Sequence, residues 1–135
     1  MGKILKAYML RVNEITGWSY KGYIGEIEDE LEILQQYVGG SIQLTSIGHG
    51  IEVLCNDDGK LMGLVPNRWF LNNGGKVLDV YVGNIACFRT DNDNLADIQE
   101  EDIPYIEQRL KAVMFIDKNM GVVIDPNPMK YEVES

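Results

Sequence analysis

The spacing of apolar residues changes period several times along the chain, and each change predicts an element. Residues 3–12 (K-I-L-K-A-Y-M-L-R-V) place apolar and aromatic side chains on both parities. That pattern predicts an inner strand with both faces covered. Residues 13–22, with Gly17 and Gly22 around W-S-Y, read as a loop. Ile27, Leu31, Leu34 and Val38 then fall at i, i+4, i+7 and i+11, a helical stripe that Ile33 and Tyr37 widen. An acidic amphipathic helix is expected here, with Glu28, Asp29, Glu32, Gln35 and Gln36 solvated. Glu30 projects near Tyr37 at the edge of the apolar arc and calls for a basic partner such as Arg11 or Lys6. Gly39 is the expected residue after the helix, because glycine enters the left-handed region without strain.

Alternation takes over next. Residues 41–47 and 51–55 read as two strands joined by the Gly48-His49-Gly50 loop, a hairpin. Asn56-Asp57-Asp58-Gly59 is a second turn, and residues 60–64 are expected to return as a third strand of a meander. Residues 66–70 leave that meander, and Asn72-Asn73-Gly74-Gly75 is another turn. The apolar runs 77–82 and 85–88 are split by Gly83-Asn84, giving two short strands or one interrupted strand. Residues 91–97 read as a polar loop. A second helix is expected over 99–113, with Ile103, Ile106, Leu110 and Val113 on one face, Asp97 as cap and Pro104 in the first turn. Residues 114–116 and 122–124 flank a last hairpin turn, and Pro126 and Pro128 lead into a polar tail. The elements add up to an α+β fold: an antiparallel sheet of about four to six strands covered by two helices. Residues 1–135 are read as a single domain, with its core over about 3–112 and an extension over 113–135.

Composition narrows the function. There are 21 acidic residues against 12 basic ones, a formal charge of −9. Glu26, Glu28, Asp29, Glu30 and Glu32 form one cluster. Asp91, Asp93, Asp97, Glu100, Glu101, Asp102 and Glu107 form another, with no Lys or Arg among them. A surface of this sign repels a nucleic-acid backbone and suits a basic protein partner. No apolar run approaches the roughly 18 residues of a membrane span, and no secretory leader is evident, so a cytoplasmic location is expected. Cys55 and Cys87 sit in apolar runs as small hydrophobes. Two cysteines and one histidine without close spacing do not make a zinc centre, and no cofactor is implied.

The stretches E-L-E-I-L-Q-Q-Y-V-G-G-S-I, I-E-V-L-C-N-D-D-G-K-L and G-L-V-P-N-R, within residues 23–68, resemble the family of domain of unknown function 3846. Its members look like L-x-x-L-Q-x-x-V-G-G-x-I, N-x-x-G-K-L and P-x-N-R at the same spacing. The resemblance implies small proteins of phages, plasmids and other mobile elements, chiefly of Firmicutes, with no established activity and no catalytic residues. It raises the expectation of an accessory factor that acts on host machinery.

Individual motifs carry less. Asp91-Asn92-Asp93-Asn94-Leu95-Ala96-Asp97 has the oxygen spacing of a calcium loop, but Leu95 and Ala96 stand where a ligand and the turn glycine belong. His49, between glycines at a hairpin tip, reads as a solvated side chain without a nucleophile to activate. Gly39-Gly40 follows a helix rather than opening one, so it is a helix stop and not a phosphate loop. Asn56, Lys60, Asn67, Arg68 and Trp69 form the best polar constellation for a small ligand, with Arg68 able to hold a phosphate or carboxylate. Trp18, Tyr20, Tyr23 and Trp69 offer aromatic anchors. The expected function is therefore non-enzymatic. The chain binds and inhibits a host protein, in an anti-defence role, through Glu28, Asp29, Glu32, Glu100, Glu101 and Asp102. The alternative is a binder that sequesters a small molecule or nucleotide at the Asn56–Trp69 constellation. A third reading is a virion component that forms a homo-oligomer through the hairpin after Val113. Neither direct nucleic-acid binding nor membrane association is expected.

Overall fold

The mixed-parity run at the N-terminus forms β1 (Lys3–Leu10), an inner strand as its pattern requires. Leu5, Ala7 and Met9 enter one hydrophobic cluster, and Tyr8 and Leu10 enter another on the opposite face. The computed structural model describes residues 2–117 and 121–125.

The next segment overturns an expectation. The residues meant to open the helix form a strand, β2 (Tyr23–Asp29). It pairs antiparallel with β1 in unbroken register from Lys3↔Asp29 to Met9↔Tyr23. Gly25 costs a helix about 1 kcal/mol relative to alanine. In the strand its missing side chain leaves room for β1, since a Cβ there would meet Met9 Cγ at 2.9 Å. The helix is reduced to α1 (Leu31–Val38), which buries Leu34 and Val38 and leaves Leu31 exposed. Gly39 ends it at φ 84, as expected.

The hairpin of β3 (Ile42–Gly48) and β4 (Ile51–Asn56) stands as read. Its two loop residues, His49 at φ 57 and Gly50 at φ 72, both lie in the left-handed region that a twisted two-residue turn demands. The third strand of the meander does not form. Residues 60–63 turn instead, with Met62 N–H donating to Asp58 O and Leu64 N–H to Gly59 O, and Leu61 stands 89% exposed. Gly63 at φ 73 breaks any extended run.

Residues 66–70, read as leaving the meander, are a strand: β5 (Pro66–Leu71) opens a second sheet. It pairs with β6 (Val77–Val82) across the expected turn. The chain then returns to the first sheet as β7 (Ile85–Asp91), so the two apolar runs are separate strands in separate sheets. The polar loop contains a short strand, β8 (Asn94–Ala96), paired to β7. The second helix is α2 (Ile103–Arg109), with Pro104 in its first turn. It is shorter than expected because Leu110 passes directly into β9 (Leu110–Asp117), which pairs with β5 and with β10 (Gly121–Asp125). The cap is also different: Gln99 and Asp102 form a capping box before the helix, and Asp97 takes no part in it. The expected polar tail at Pro126 and Pro128 lies outside the described residues.

The fold is α+β, and all strand pairing among the described residues is antiparallel. Sheet one runs β2-β1-β7-β4-β3 with β8 beside β7; sheet two runs β10-β9-β5-β6. The two clusters explain the layering. Ile27, Leu34, Val38, Leu54, Ala86 and Phe88 bind α1 to one face of sheet one. Tyr8, Val53, Cys87, Tyr81, Ile106 and Leu110 bind sheet two and α2 to the other. Cys55 and Cys87 are free and buried in that second layer. No helix among the described residues is long and apolar enough to cross a membrane.

Candidate functional site: an acidic groove beside the first sheet

Lys6 of β1 sits opposite Glu26 of β2. On the other side of Lys6, the chain leaving β8 is tied down twice. The Lys6 N–H donates to Asp97 Oδ1 at 2.9 Å, and the Ile98 N–H donates to Lys6 O at 2.9 Å. The single 3-10 turn Glu100–Asp102 then rises from the sheet. Between this segment and β2 lies a groove of about 850 Å³ lined by Lys6, Ile24, Gly25, Glu26 and residues 97–101.

Arg89 and Asp102 hold the turn in place. Arg89 Nε donates to Asp102 Oδ2 at 2.7 Å and its terminal nitrogen to Oδ1 at 2.8 Å, while the Gln99 N–H donates to Asp102 as well. The Arg89 guanidinium holds the Asp102 carboxyl below the usual carboxylate range, and Asp102 in turn raises Arg89. Arg89 also lies 3.6 Å from Glu101 Oε1, while Glu26, Asp97, Glu100 and Glu101 share the groove with Lys6 as its one basic lining residue. The two acidic clusters, some 70 residues apart in the chain, thus meet at one place.

The residues expected to bind a partner divide accordingly. Glu100 and Glu101 are exposed on the groove, while Asp102 is buried in its ion pair and is a structural residue. Glu28 and Asp29 end β2 just beyond Glu26, and Glu32 is exposed in the first turn of α1. Glu30 is met by another carboxyl. Its carboxyl hydrogen-bonds that of Glu28, which lowers the pKa of Glu28 and raises that of Glu30. Its backbone makes the turn from β2 into α1, so the side chain lies beside the strand rather than on a helical arc.

The constellation expected for a small ligand is not one site, because the strand that would have aligned it is absent. Asn67 is fully buried and its Nδ2 donates to Leu10 O at 2.8 Å and Gly83 O at 2.7 Å. Arg68, 2% exposed, donates to Asn67 Oδ1 at 2.7 Å and Tyr20 O at 2.6 Å, tying the 13–22 loop to β5. Burial pulls its pKa down to about 10. Tyr8 lies nearby and donates to Glu107 at 2.9 Å; burial, with that bond, raises its pKa. Trp69, the next residue of β5, points to the opposite face, where its buried indole N–H has no hydrogen-bond partner. Asn56 joins the end of α1 to the turn, donating to Val38 O and accepting from the Asp58 N–H. Lys60 pairs with Asp79 at 2.5 Å on the surface. Asn56 and Lys60 do share a cavity of about 180 Å³ with Thr45 and Tyr81, between β3 and β6.

His49 is not simply solvated. It stacks on Tyr105 at 3.9 Å, and the Arg109 guanidinium lies 5.0 Å from the same ring. The 91–97 segment is a hairpin turn with Asn92 and Asp93 at positive φ, and among the described residues no group of three or more His, Cys, Asp or Glu is arranged to hold a metal. Sequence reasoning missed the Arg89–Asp102 pair and the burial of Arg68. Gly25, just ahead of the expected helical stripe, was the available signal for β2.

Neither the curated proteins nor the solved structures provide a match to the chain. A family model described as domain of unknown function (DUF3846) matches residues 17–111, from the loop before β2 to the start of β9. The match spans the groove residues other than Lys6, the buried Asn67–Arg68 pair and both helices, and the chain belongs to this DUF3846 family.

Proposed function

We propose that the protein is a non-enzymatic accessory factor of a phage or other mobile element that binds and inhibits a host protein, in an anti-defence role, through the acidic groove. The supporting observation is the convergence of Glu26, Asp97, Glu100 and Glu101 around one groove with a single lysine. Carboxylates held on regular elements attract a basic patch and speed its encounter, and they repel nucleic acid. The groove lining contains carboxylates, one ammonium, an amide and aliphatic side chains, a set suited to docking rather than to nucleophilic attack. Sequestration of a small molecule is the second reading, supported by the cavity that Asn56 and Lys60 reach. Its 180 Å³ is below the roughly 300–1,000 Å³ of typical small-molecule pockets, so the groove carries the stronger case.

The test is affinity capture from host lysate followed by native mass spectrometry. The wild type should retain a host protein, and capture should weaken as salt rises. The triple reversal Glu26→Lys, Glu100→Lys and Glu101→Lys should release it. Equal capture by both proteins would overturn the groove reading, and a co-purifying small ligand without a host protein would favour sequestration.

A further inference from the structure

The groove runs along a strand that ends a sheet. β2 is the terminal strand of sheet one, and among the described residues no strand pairs with its outer side. An unpaired strand edge is a row of backbone donors and acceptors ready for another chain. β2 is regular: its pairing to β1 continues through seven residue pairs without a shift. At roughly 3.3 Å per residue it offers an edge of about 23 Å. It carries no Pro or Lys, the residues that commonly blunt an edge.

The edge carries acids instead: Glu26, Glu28 and Asp29. Two copies of β2 brought side by side would face like charges across the new ladder, which is unfavourable. A basic strand would face opposite charges. The parity is also specific. Ile24, Glu26 and Glu28 share one face, the face on which Glu100 and Glu101 form the far wall of the groove. The other face, through Ile27, is covered by α1.

Accepting the groove as the docking site, we propose that the partner contributes an extended basic segment that adds to β2 as a further strand. Its alternate residues lie on the same face of the sheet as the groove. An apolar side chain meets Ile24, and Lys or Arg side chains two and four residues along meet Glu26 and Glu28. Backbone pairing supplies affinity and the two-residue spacing supplies selectivity.

The probe is a nine-residue peptide of Val and Thr with Val at its third position and Lys at its fifth and seventh, followed by fluorescence anisotropy and by amide exchange of the full chain in NMR. Binding should vanish in the Glu26→Lys, Glu100→Lys, Glu101→Lys protein. On binding, alternate amides of β2 should gain protection of at least about tenfold, as new ladder bonds require. Charge-dependent binding with unchanged β2 exchange would overturn strand addition while leaving the groove reading intact. Absence of binding, or binding indifferent to the charge reversal, would overturn both. Spermine is the comparison ligand: if it binds as tightly as the peptide, the groove takes small polycations and the strand proposal fails.

Discussion

The Asn67–Arg68 pair and the acidic groove are concentrations of polar chemistry built in opposite ways. Asn67 and Arg68 are sequence neighbours, buried, and bonded inward to Leu10 O, Gly83 O and Tyr20 O. The groove carboxylates come from distant segments, and Glu26, Glu100 and Glu101 remain exposed. A buried polar side chain must be satisfied by its own fold, which leaves little of it for a ligand. An exposed carboxylate held by rigid neighbours is available. Residue type alone marks Arg68 as the better ligand holder, and burial reverses that ranking.

Substitutions should separate the two regions by stability. Arg68→Met should cost most, about 3–5 kcal/mol in urea unfolding, because it leaves Tyr20 O and the Asn67 side chain buried without their donor. A loss within 1 kcal/mol, about the net worth of one hydrogen bond, would mean the pair is dispensable and that the contrast is false. Asn67→Ala should follow at about 2–3 kcal/mol, since two backbone carbonyls lose their donor.

Asp102→Asn lies between the regions, at the base of the groove. The folded carboxyl is lowered by Arg89, so its contribution is present above the ordinary carboxylate pKa and disappears as pH falls through the lower folded value. The wild type should lose about 1 kcal/mol on acidification below about pH 4, and the variant should show a flatter melting profile over that range. A variant with the same acid profile would remove the pair from the account. The smallest effect is expected at the groove itself. The triple reversal Glu26→Lys, Glu100→Lys and Glu101→Lys moves the formal charge from −9 to −3, two units per site. It should change stability by no more than about 0.5 kcal/mol per site at Glu26 and Glu100, as exposed substitutions do, with a further loss of about 0.3 kcal/mol at Glu101, which gives up its contact with Arg89. A large loss there would assign the carboxylates to folding and dissolve the comparison with Arg68.

Much of the fold could be read along the chain because its signals are local. β1 shows its two buried faces directly, and the β3–β4 hairpin is written in alternation around glycines. β2 was obscured because Ile27, Leu31, Leu34 and Val38 fit a helical period, whereas Ile27 pairs with Leu5 and Leu31 is exposed. What decides the matter is the partner strand, which lies outside any local window. The end of α2 was hidden for the same reason, since Leu110 continues the apolar face of the helix while β5 draws it into a sheet. The acidic clusters were visible as composition, but their meeting depends on the two backbone bonds at Lys6. Nothing near Arg68 announces burial; Tyr20, 48 residues away, creates it.

The place of β7 has a consequence for synthesis. The β1–β2 and β3–β4 hairpins pair locally, but among the described residues β7 is the strand that joins them into one sheet, lying between β1 and β4. It ends 35 residues after β4 does. At roughly 5–20 residues per second, a ribosome leaves the two hairpins unjoined for about 2–7 s. During that interval the inner edges of β1 and β4 face water and neighbouring nascent chains. Glu26, Glu28 and Asp29 of β2 and Glu52 of β4 carry like charges, which disfavour pairing between two such chains.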